Sequence, residues 1–282
     1  MIGPDKMPVV LKKLDPTGTR QLSIIRDAIV AIGLLMFVTG CNRETDRILE
    51  QIVEQSYPIT PAMTLSVSNE DGSIRIYGGG PQVVKVQAIK KAYREERLKG
   101  IEIKVSADTN EVLIETKYPS RPRSWFADRS GTVDYVIVVP DYMNISRADL
   151  QNGEVLIDGM RGQSTRASLS SGRLFAHNCF GNLDLSVKSG NFAVIFEWWQ
   201  PNKFSVNASI DDGNGFAFLP SEASFHLIAK TDSGKIGNDF AEQEDRRGEV
   251  VTHVDTMIGT TNNVTMNLHA ADGNIRIVEA NP

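Results

Sequence analysis

The chain has 282 residues, of which 41% are hydrophobic and 23% are charged, and its formal net charge is −5. A chain of this length and apolar content can bury a sizeable core in one or two domains. The acidic balance argues against a nucleic-acid-binding protein, because such proteins usually carry a basic surface. With only two cysteines, Cys41 and Cys179, the chain has no disulfide framework.

The first 40 residues have the pattern of a secretory signal. Residues 28–38 (AIVAIGLLMFV) form a short apolar run that follows Arg20 and Arg26. Small residues and then Gly40-Cys41 come directly after it, which is typical of a cleavage site. The run is too short for a transmembrane helix, which needs about 20 residues. The pattern predicts a signal peptide over residues 1–40.

Small residues that end in a cysteine also resemble the bacterial lipobox. The resemblance implies cleavage between Gly40 and Cys41 and attachment of a diacylglyceryl group to the Cys41 sulfur. Acyl chains of this kind hold a protein on a membrane. A plain cleaved signal and an uncleaved membrane anchor are the alternatives.

Residues 41–62 are predicted to be a tether between the lipid and the folded part. Residues 44–54 (ETDRILEQIVE) place apolar side chains at helical spacing, and Pro58 and Pro61 would end the helix. A short amphipathic helix and a disordered linker are both compatible with this composition.

The stretch 63–140 is predicted to be an N-terminal β cap with one short helix. Apolar residues alternate with polar ones on both sides of Asp71-Gly72, which is typical of two strands joined by a turn. Residues 89–99 (IKKAYREERLK) are mostly polar and predict a short surface helix. The cap would cover the exposed end of the repeats that follow.

Residues 117–131 (KYPSRPRSWFADRSG) are predicted to be a loop. Arginines such as Arg123 alternate there with aromatic residues such as Trp125. Loops of this kind on a rigid scaffold can bind anions or sugars. The alternative is that the loop folds back and covers an open edge of the core.

From residue 146 to residue 280 the chain carries a weak internal repeat of about 20 residues. Each copy has alternating apolar residues, a short polar residue, a glycine and a second alternating stretch; the glycines are Gly153, Gly172, Gly190, Gly213, Gly234 and Gly273. Mostly apolar residues stand three, five and seven positions before each glycine; in the first copy the position seven before it is Ser146. Two copies fit badly, because Asn238 stands at an apolar position and the Gly213 copy looks shifted by about two residues around Gly215.

The repeat predicts an all-β fold in which residues 141–282 form a β-solenoid, similar to a parallel β-helix, with one Gly turn in each coil. No single coil can bury its own apolar row, but a stack of coils can. Antiparallel hairpins in a sandwich or barrel are the alternative. The small alanines that recur five positions before the glycine favour the narrow interior of a solenoid.

The stretch from Met63 to Val278 resembles the bacterial putative-adhesin β-solenoid family, whose members are mostly domains of unknown function. The resemblance is carried by residues 133–140 (VDYVIVVP), by residues 271–277 (ADGNIRI) and by the repeated Ser-Gly and Asn-Gly pairs. It implies a β-solenoid fold, and it carries no catalytic residue over to this chain.

Trp198 and Trp199 are the candidate ligand-binding residues of the repeat region. They precede Pro201, where the spacing between glycines is longest among the single steps, so a small bulge is expected there. Adjacent side chains of a strand point to opposite faces, so one tryptophan would pack inside and the other would be exposed. An exposed tryptophan suits a sugar, although ordinary packing at a corner of the coil is the simpler explanation of the pair.

The sequence contains little that resembles catalytic chemistry. The four histidines stand singly, and no spacing matches a zinc site, so neither a metal nor a cofactor is predicted. His177 and Cys179 are two residues apart, but a buried structural cysteine is the simpler interpretation. Asp211-Asp212 is the nearest candidate acid pair, and a turn also explains it.

These patterns together predict a non-enzymatic protein of the bacterial cell envelope, at the outer membrane or cell surface. It would be held on the membrane through Cys41 and would act as an adhesin-like interaction module for glycans, matrix or envelope proteins. A scaffold or stress-response partner of a membrane complex is one alternative. A carbohydrate-active β-helix enzyme is another.

Overall fold

The computed structural model describes residues 47–120, 128–241, 250–260 and 263–280. The predicted signal peptide, Cys41, Arg123 and Trp125 lie outside these residues, so their roles stay predictions.

Strands make up most of the described chain, which confirms the prediction of an all-β protein. The single helix of the described residues, α1, spans Glu95–Gly100, and no described helix is long and apolar enough to cross a membrane. The strands are β1 Leu49–Pro58, β2 Thr64–Gly78, β3 Val83–Ala92, β4 Glu102–Ala107, β5 Glu111–Lys117, β6 Thr132–Val139, β7 Asn144–Asp158, β8 Ser164–His177, β9 Asn182–Ile195, β10 Phe204–Leu219, β11 Phe225–Ser233, β12 Ile236–Asn238, β13 His253–Ile258, β14 Val264–Asp272 and β15 Ile275–Glu279.

The centre of the molecule is a stack of long parallel strands. Strands β7, β8, β9 and β10 pair in the order of the sequence, and their repeat glycines lie side by side. Each strand runs through its glycine, so the glycine bends the strand and does not reverse it as a hairpin turn would. We call each such strand a rung, and its parts before and after the glycine the first arm and the second arm.

Only glycine fits at the bend of a rung. Gly172 has a φ of +133°, which is disfavoured for residues with a side chain. A Cβ on Gly172 would also overlap the carbonyl oxygen of Gly153 in the neighbouring rung. The same overlap recurs from rung to rung, so the glycines form one continuous column through the stack.

Apolar side chains from both arms face the interior and form one hydrophobic core. In β7 the alternation changes phase at the glycine: Leu150 is buried before it and Val155 after it. This change keeps the apolar side of each arm turned inward after the bend. The first copy departs from the expected pattern, because β7 has a bulge and Ile145, not Ser146, lies opposite Thr165.

The predicted shift around Gly215 is wrong. Gly213 pairs with Gly190, and Gly215 pairs with Phe192, so the register continues unbroken from β9 to β10. A Cβ on Gly215 would overlap the Phe192 ring. Gly215 therefore makes room for a large buried side chain of the rung below it. Asn238, the other misfit, is half-buried and pairs with Ile277.

At the C-terminal end the rungs do not stack in the order of the sequence. Strand β14 pairs in parallel with both β10 and β11, and β15 likewise lies between β10 and β12. We also call the strand pairs that flank Gly234 (β11 and β12) and Gly273 (β14 and β15) rungs. The Gly273 rung is therefore inserted between the Gly213 and Gly234 rungs, so the rungs at this end are not consecutive coils. Strand β13 then pairs antiparallel with β11.

At the N-terminal end, β2 is a complete rung that pairs with β7 and aligns Gly72 with Gly153. The Gly72 copy, which is isolated in the sequence, is thus part of the stack. On its other side β5 pairs with the first arm and β6 with the second arm, both in parallel. Strands β3 and β1 then add antiparallel beyond β6, and β4 adds antiparallel beyond β5.

One helix prediction in this region is wrong, and the predicted start of another is too early. Residues 49–58 of the predicted tether form β1, which pairs with β3 over its whole length. Residues 89–92 belong to β3, and the helix begins only at Glu95. In both places the formation of backbone hydrogen bonds to a neighbouring strand outweighs the local helical pattern.

Candidate functional site

The segment 196–203 leaves the strands between β9 and β10 and carries the two tryptophans. Trp198 is 41% exposed, whereas Trp199 is partly buried and packs against the core. Neither residue is in a strand, so the different exposure comes from the path of the segment and not from strand alternation.

The tryptophans belong to a group of aromatic rings that we call the aromatic cluster: Phe180, Phe196, Trp198, Trp199 and Phe204. Trp198 lies on Phe180 with ring centroids 5.7 Å apart, and Trp199 packs edge-on against Phe196 at 5.6 Å. Phe180, Phe196 and Phe204 are almost fully buried. Pairs of aromatic rings at these distances attract each other beyond simple area burial, so Trp198 is an exposed ring on a packed aromatic base.

Polar groups border the exposed side of the aromatic cluster. The Arg161 guanidinium lies 5.5 Å from the centre of the Phe180 ring, and Trp198 contacts the same ring. Arg161 Nη1 donates to Gln200 Oε1 at 2.9 Å, and Asn202 Nδ2 donates to the same oxygen at 3.3 Å. An exposed aromatic ring beside amides and a guanidinium can stack on a ligand and also hydrogen-bond to it.

The segment that carries Trp198 is fixed by neighbouring rungs. The buried Asn178 accepts a hydrogen bond from the Glu197 backbone N–H at 2.9 Å through its Oδ1. His177 Nε2 lies 3.3 Å from Glu197 Oε1. Asn263 Nδ2 donates to the Pro201 carbonyl at 3.4 Å. A site held at both ends in this way loses little conformational entropy when a ligand binds.

Cys179 is not a nucleophile in this structure. Its side chain is fully buried, and the Sγ–H donates to the Ile157 and His177 carbonyl oxygens at 3.5 and 3.3 Å. Burial raises the pKa of the thiol to about 12. Since the thiolate is the reactive form, the thiol is inert at neutral pH.

The loop predicted over residues 117–131 is described only at its two ends. The Arg97 side chain joins them, because it donates to the Ser130 carbonyl at 3.0 Å and to the Pro119 carbonyl at 3.3 Å. The Tyr118 hydroxyl donates to the Asp71 carbonyl at 2.8 Å, and burial raises the pKa of Tyr118. A cavity of 400 Å³ lies there; its lining residues are Glu70, Asp71, Arg97, Tyr118, Pro119, Ser120 and Arg129.

The candidate acid pair and the histidines do not converge on a common site. Asp211 and Asp212 are exposed at the bend of β10, where Asp212 pairs with Ser189 and Asp272 of the adjacent rungs. Within the described ranges, no group of three His, Cys, Asp or Glu side chains is placed to hold a metal ion.

Sequence reasoning found Trp198 and Trp199 but missed Phe180 and Arg161. Phe180 lies about one repeat before Trp198, between β8 and β9, and Arg161 lies about two repeats before Gln200, between β7 and β8. The repeat length was therefore a usable signal, because residues one repeat apart become neighbours when the strands stack in parallel.

Solved bacterial structures are similar to this chain, with low sequence identity. One, described as a putative cell adhesion protein from Clostridium sporogenes, has a TM-score of 0.51 and 16% identity and covers 82% of this chain and 100% of its own. Another, described as a putative adhesin from Bacteroides fragilis, has a TM-score of 0.34 and 11% identity, with coverage of 81% and 97%. No family model and no curated protein matches the chain. The first similarity supports a shared fold and transfers no function.

Proposed function

We propose that this chain is an exported, non-enzymatic lipoprotein of the bacterial envelope that acts as an adhesin-like interaction module. Cys41 would carry the lipid, and the stack of rungs would be a β-solenoid that presents the aromatic cluster to a glycan or matrix component on another surface. The fold shared with a protein described as a cell adhesion protein is consistent with this role.

The exposure of Trp198 on an immobilised aromatic base is the observation that carries the proposal. An exposed tryptophan that packs against a buried phenylalanine loses less rotamer freedom on binding than an unsupported one, and tryptophan is among the residues that most often dominate interfaces. Arg161, Gln200 and Asn202 supply polar groups that would fix the orientation of a ligand.

The export and anchoring part of the proposal can be tested on intact bacterial cells. We expect the native chain to be cleaved by added protease and to carry acyl chains by mass spectrometry of the N-terminal peptide. Cys41→Ser should lose the acyl chains and be released or mislocalised. A native chain that resists protease until the envelope is opened would contradict surface adhesion and favour an internal scaffold.

The binding part can be tested by adhesion of whole cells to immobilised glycans and matrix proteins. Trp198→Ala should weaken adhesion about tenfold, which corresponds to about 1.4 kcal/mol of binding free energy. Tyr93→Ala is the matched control, because Tyr93 is another exposed aromatic residue at 51% exposure. Equal adhesion by the Trp198→Ala and Tyr93→Ala variants would show that Trp198 does not contribute to adhesion.

A further inference from the structure

The outward face of the second arms carries an unusual combination of side chains. Strands β8, β9, β10 and β15 lie side by side there, all parallel and in register. In each strand the residues one, three and five positions after the glycine point away from the core. We call the central part of this surface the asparagine–phenylalanine face; it consists of Phe175, Asn191, Ile195, Asn214, Phe216, Phe218, Asn274 and Val278.

One row of this face is made of asparagines from three successive rungs. Asn214 Nδ2 donates to Asn191 Oδ1 at 3.5 Å, and Asn274 Nδ2 donates to Asn214 Oδ1 at 3.1 Å. A primary amide has two N–H donors, and each of these bonds uses one of them. The row therefore fixes the orientation of the amides and still leaves N–H groups for a ligand, repeated at the rung spacing of about 4.8 Å.

The neighbouring rows are mainly apolar although they lie on the outside of the sheet. Phe216 and Phe218 are half-buried, and their rings are nearly parallel, with centroids 6.1 Å apart and an angle of 12°. Phe175, two rungs away, holds the same position after its glycine as Phe216 and is also half-buried. An apolar patch of this kind on an outer surface often marks a place where a ligand or partner binds.

Two charged side chains lie within the face: Arg276 stands opposite Phe216, and the Arg173 guanidinium lies 5.9 Å from the centre of the Phe175 ring. Both charges are paired. Arg173 forms an ion pair with Glu154 at 2.9 Å, and Arg276 forms one with Asp239 at 3.2 Å. A face without free charge, on a chain whose net charge is −5, matches an uncharged ligand better than an anionic one. A membrane surface would instead be favoured by an excess of lysine and arginine.

We propose that the asparagine–phenylalanine face binds a neutral linear polysaccharide that runs along the stack, across the strands. The aromatic rings would contact the apolar C–H faces of the sugar rings, and the asparagine row would hydrogen-bond to their hydroxyls at each rung. This inference goes beyond the adhesion site proposed above, because it uses a different surface and needs neither Trp198 nor the lipid on Cys41.

The test is native affinity electrophoresis of the full chain in mild non-ionic detergent. Gels would contain hydroxyethyl cellulose or xyloglucan as neutral probes, or polygalacturonate as an anionic probe. We expect the neutral polymers to slow the chain. Phe216→Ala combined with Phe218→Ala should raise the apparent dissociation constant at least tenfold. Trp198→Ala should still be slowed, so a failure of the aromatic cluster and a failure of this face are distinguishable.

A matched pair of asparagines on the first arms provides the control. Asn207 and Asn267 are also hydrogen-bonded to each other across neighbouring rungs, at 2.8 Å, but they lie outside the asparagine–phenylalanine face. Asn207→Ala combined with Asn267→Ala should leave the retardation unchanged. Asn214→Ala combined with Asn274→Ala should reduce it, and this pair gives a second measurement if the phenylalanine variant folds poorly.

Four results would overturn the inference. The first is no retardation by either neutral polymer. The second is retardation by polygalacturonate alone. The third is an equal loss of retardation in the control pair and in the pair from the face. A phenylalanine variant whose sedimentation shows a loss of dimers would also overturn it, because the face would then be an interface between two copies of the chain.

Discussion

The middle of the stack and its two ends follow different rules. In the middle, β7 to β10 are 14 to 16 residues long and pair with their neighbours in the sequence. At the ends, pairing joins segments that are far apart in the chain: β6 lies against β2, and β14 lies between β10 and β11. Antiparallel strands β1, β3 and β13 occur only at the ends of the described sheet.

The residue three positions before the glycine shows the same contrast. The middle rungs have Leu150, Leu169, Val187 and Ile210 there, all buried. The Gly72 and Gly234 rungs have Asn69 and Thr231, which are also buried but polar. Asn69 Nδ2 donates to the Val133 carbonyl at 2.8 Å, and Thr231 Oγ1 donates to the Gly273 carbonyl at 2.7 Å. Outer rungs thus use side chains to bond a neighbouring backbone, whereas inner rungs use theirs only for packing.

The largest expected difference between the middle and the ends comes from adding a methyl group to a glycine. Gly172→Ala should cost more than about 4 kcal/mol of unfolding free energy, because the backbone of Gly153 blocks the Cβ and φ is positive. Gly79→Ala, near the N-terminal end, should cost only about 1–2 kcal/mol. Its φ is also positive, at +104°, but a Cβ there would meet no atom of the described chain within 4 Å.

Urea unfolding of the two variants, followed by circular dichroism, measures this difference. If Gly172→Ala and Gly79→Ala lost the same stability, positive φ alone would explain both, and the close approach of neighbouring rungs would be refuted. A Gly172→Ala chain that does not fold at all agrees with the prediction, provided that Gly79→Ala folds normally.

A second substitution tests the register within the middle of the stack. Gly215→Ala should cost about 1–3 kcal/mol, because the new methyl group would press on the Phe192 ring. In a Phe192→Leu background the same change should cost clearly less, since the smaller side chain leaves room. Additive losses in this double-mutant cycle would mean that the two residues are not in contact.

A smaller effect, the dependence of stability on alkaline pH, should come from both regions. Burial raises the pKa of Cys179, in the middle, from 9.0 to about 12, and that of Tyr135, at the N-terminal end, from 10.0 to about 12. Both groups are neutral when protonated, so their contribution is complete below the unfolded pKa and is lost as the pH rises toward 12. Cys179 should reduce stability by about 1.4 kcal/mol per pH unit above pH 9.

The measurement is the urea unfolding free energy at pH 8 and at pH 10.5. Cys179→Ala should be less stable at pH 8 but should show a shallower decline with pH than the native chain. Tyr135→Phe loses the hydrogen bond between the Tyr135 hydroxyl and Thr116, so it should be less stable than the native chain at pH 8 and should show a shallower decline above about pH 10. A Cys179→Ala variant with the native slope would show that the thiol ionises as easily in the folded protein as in the unfolded one.

The middle of the stack was predictable because short stretches of sequence determine its structure. The repeat glycines and the alternation around them are visible in the sequence, and both correspond to the bend and the inward side chains of each rung. Two differences between the repeat pattern and the structure in this region have physical causes that periodicity does not show. A bulge places Ile145 where Ser146 was expected, and Gly215 looks like a shifted turn because it makes space for Phe192.

The ends were not predictable in the same way. Residues 49–58 have a helical pattern but form β1, because β3 offers a complete set of backbone partners. No local signal in β14 indicates that it enters between β10 and β11. Such placements depend on which strand edges are open after the middle has formed, and that depends on contacts distant in sequence.

The two candidate surfaces likewise depend partly on local sequence and partly on contacts between distant residues. Trp198 was recognisable as an unusual residue, but its base on Phe180 and its neighbour Arg161 required the stacking of consecutive rungs. The asparagine row of the asparagine–phenylalanine face was harder to predict from the sequence. Asn191 and Asn214 lie on consecutive rungs, but Asn274 joins them only because the Gly273 rung is inserted next to the Gly213 rung.

This insertion supports both candidate surfaces, because it places Asn263 against Pro201 and Asn274 against Asn214. Disulfide formation between engineered cysteines tests it most directly, with bonds identified by peptide mass spectrometry. Asn207→Cys with Asn267→Cys should form a disulfide, since these residues face each other on β10 and β14. Asn207→Cys with Ile228→Cys should not, because Asn267 lies between them and the strands are about 10 Å apart. The opposite result would place β11 directly on β10, in the order of the sequence, and would contradict the account.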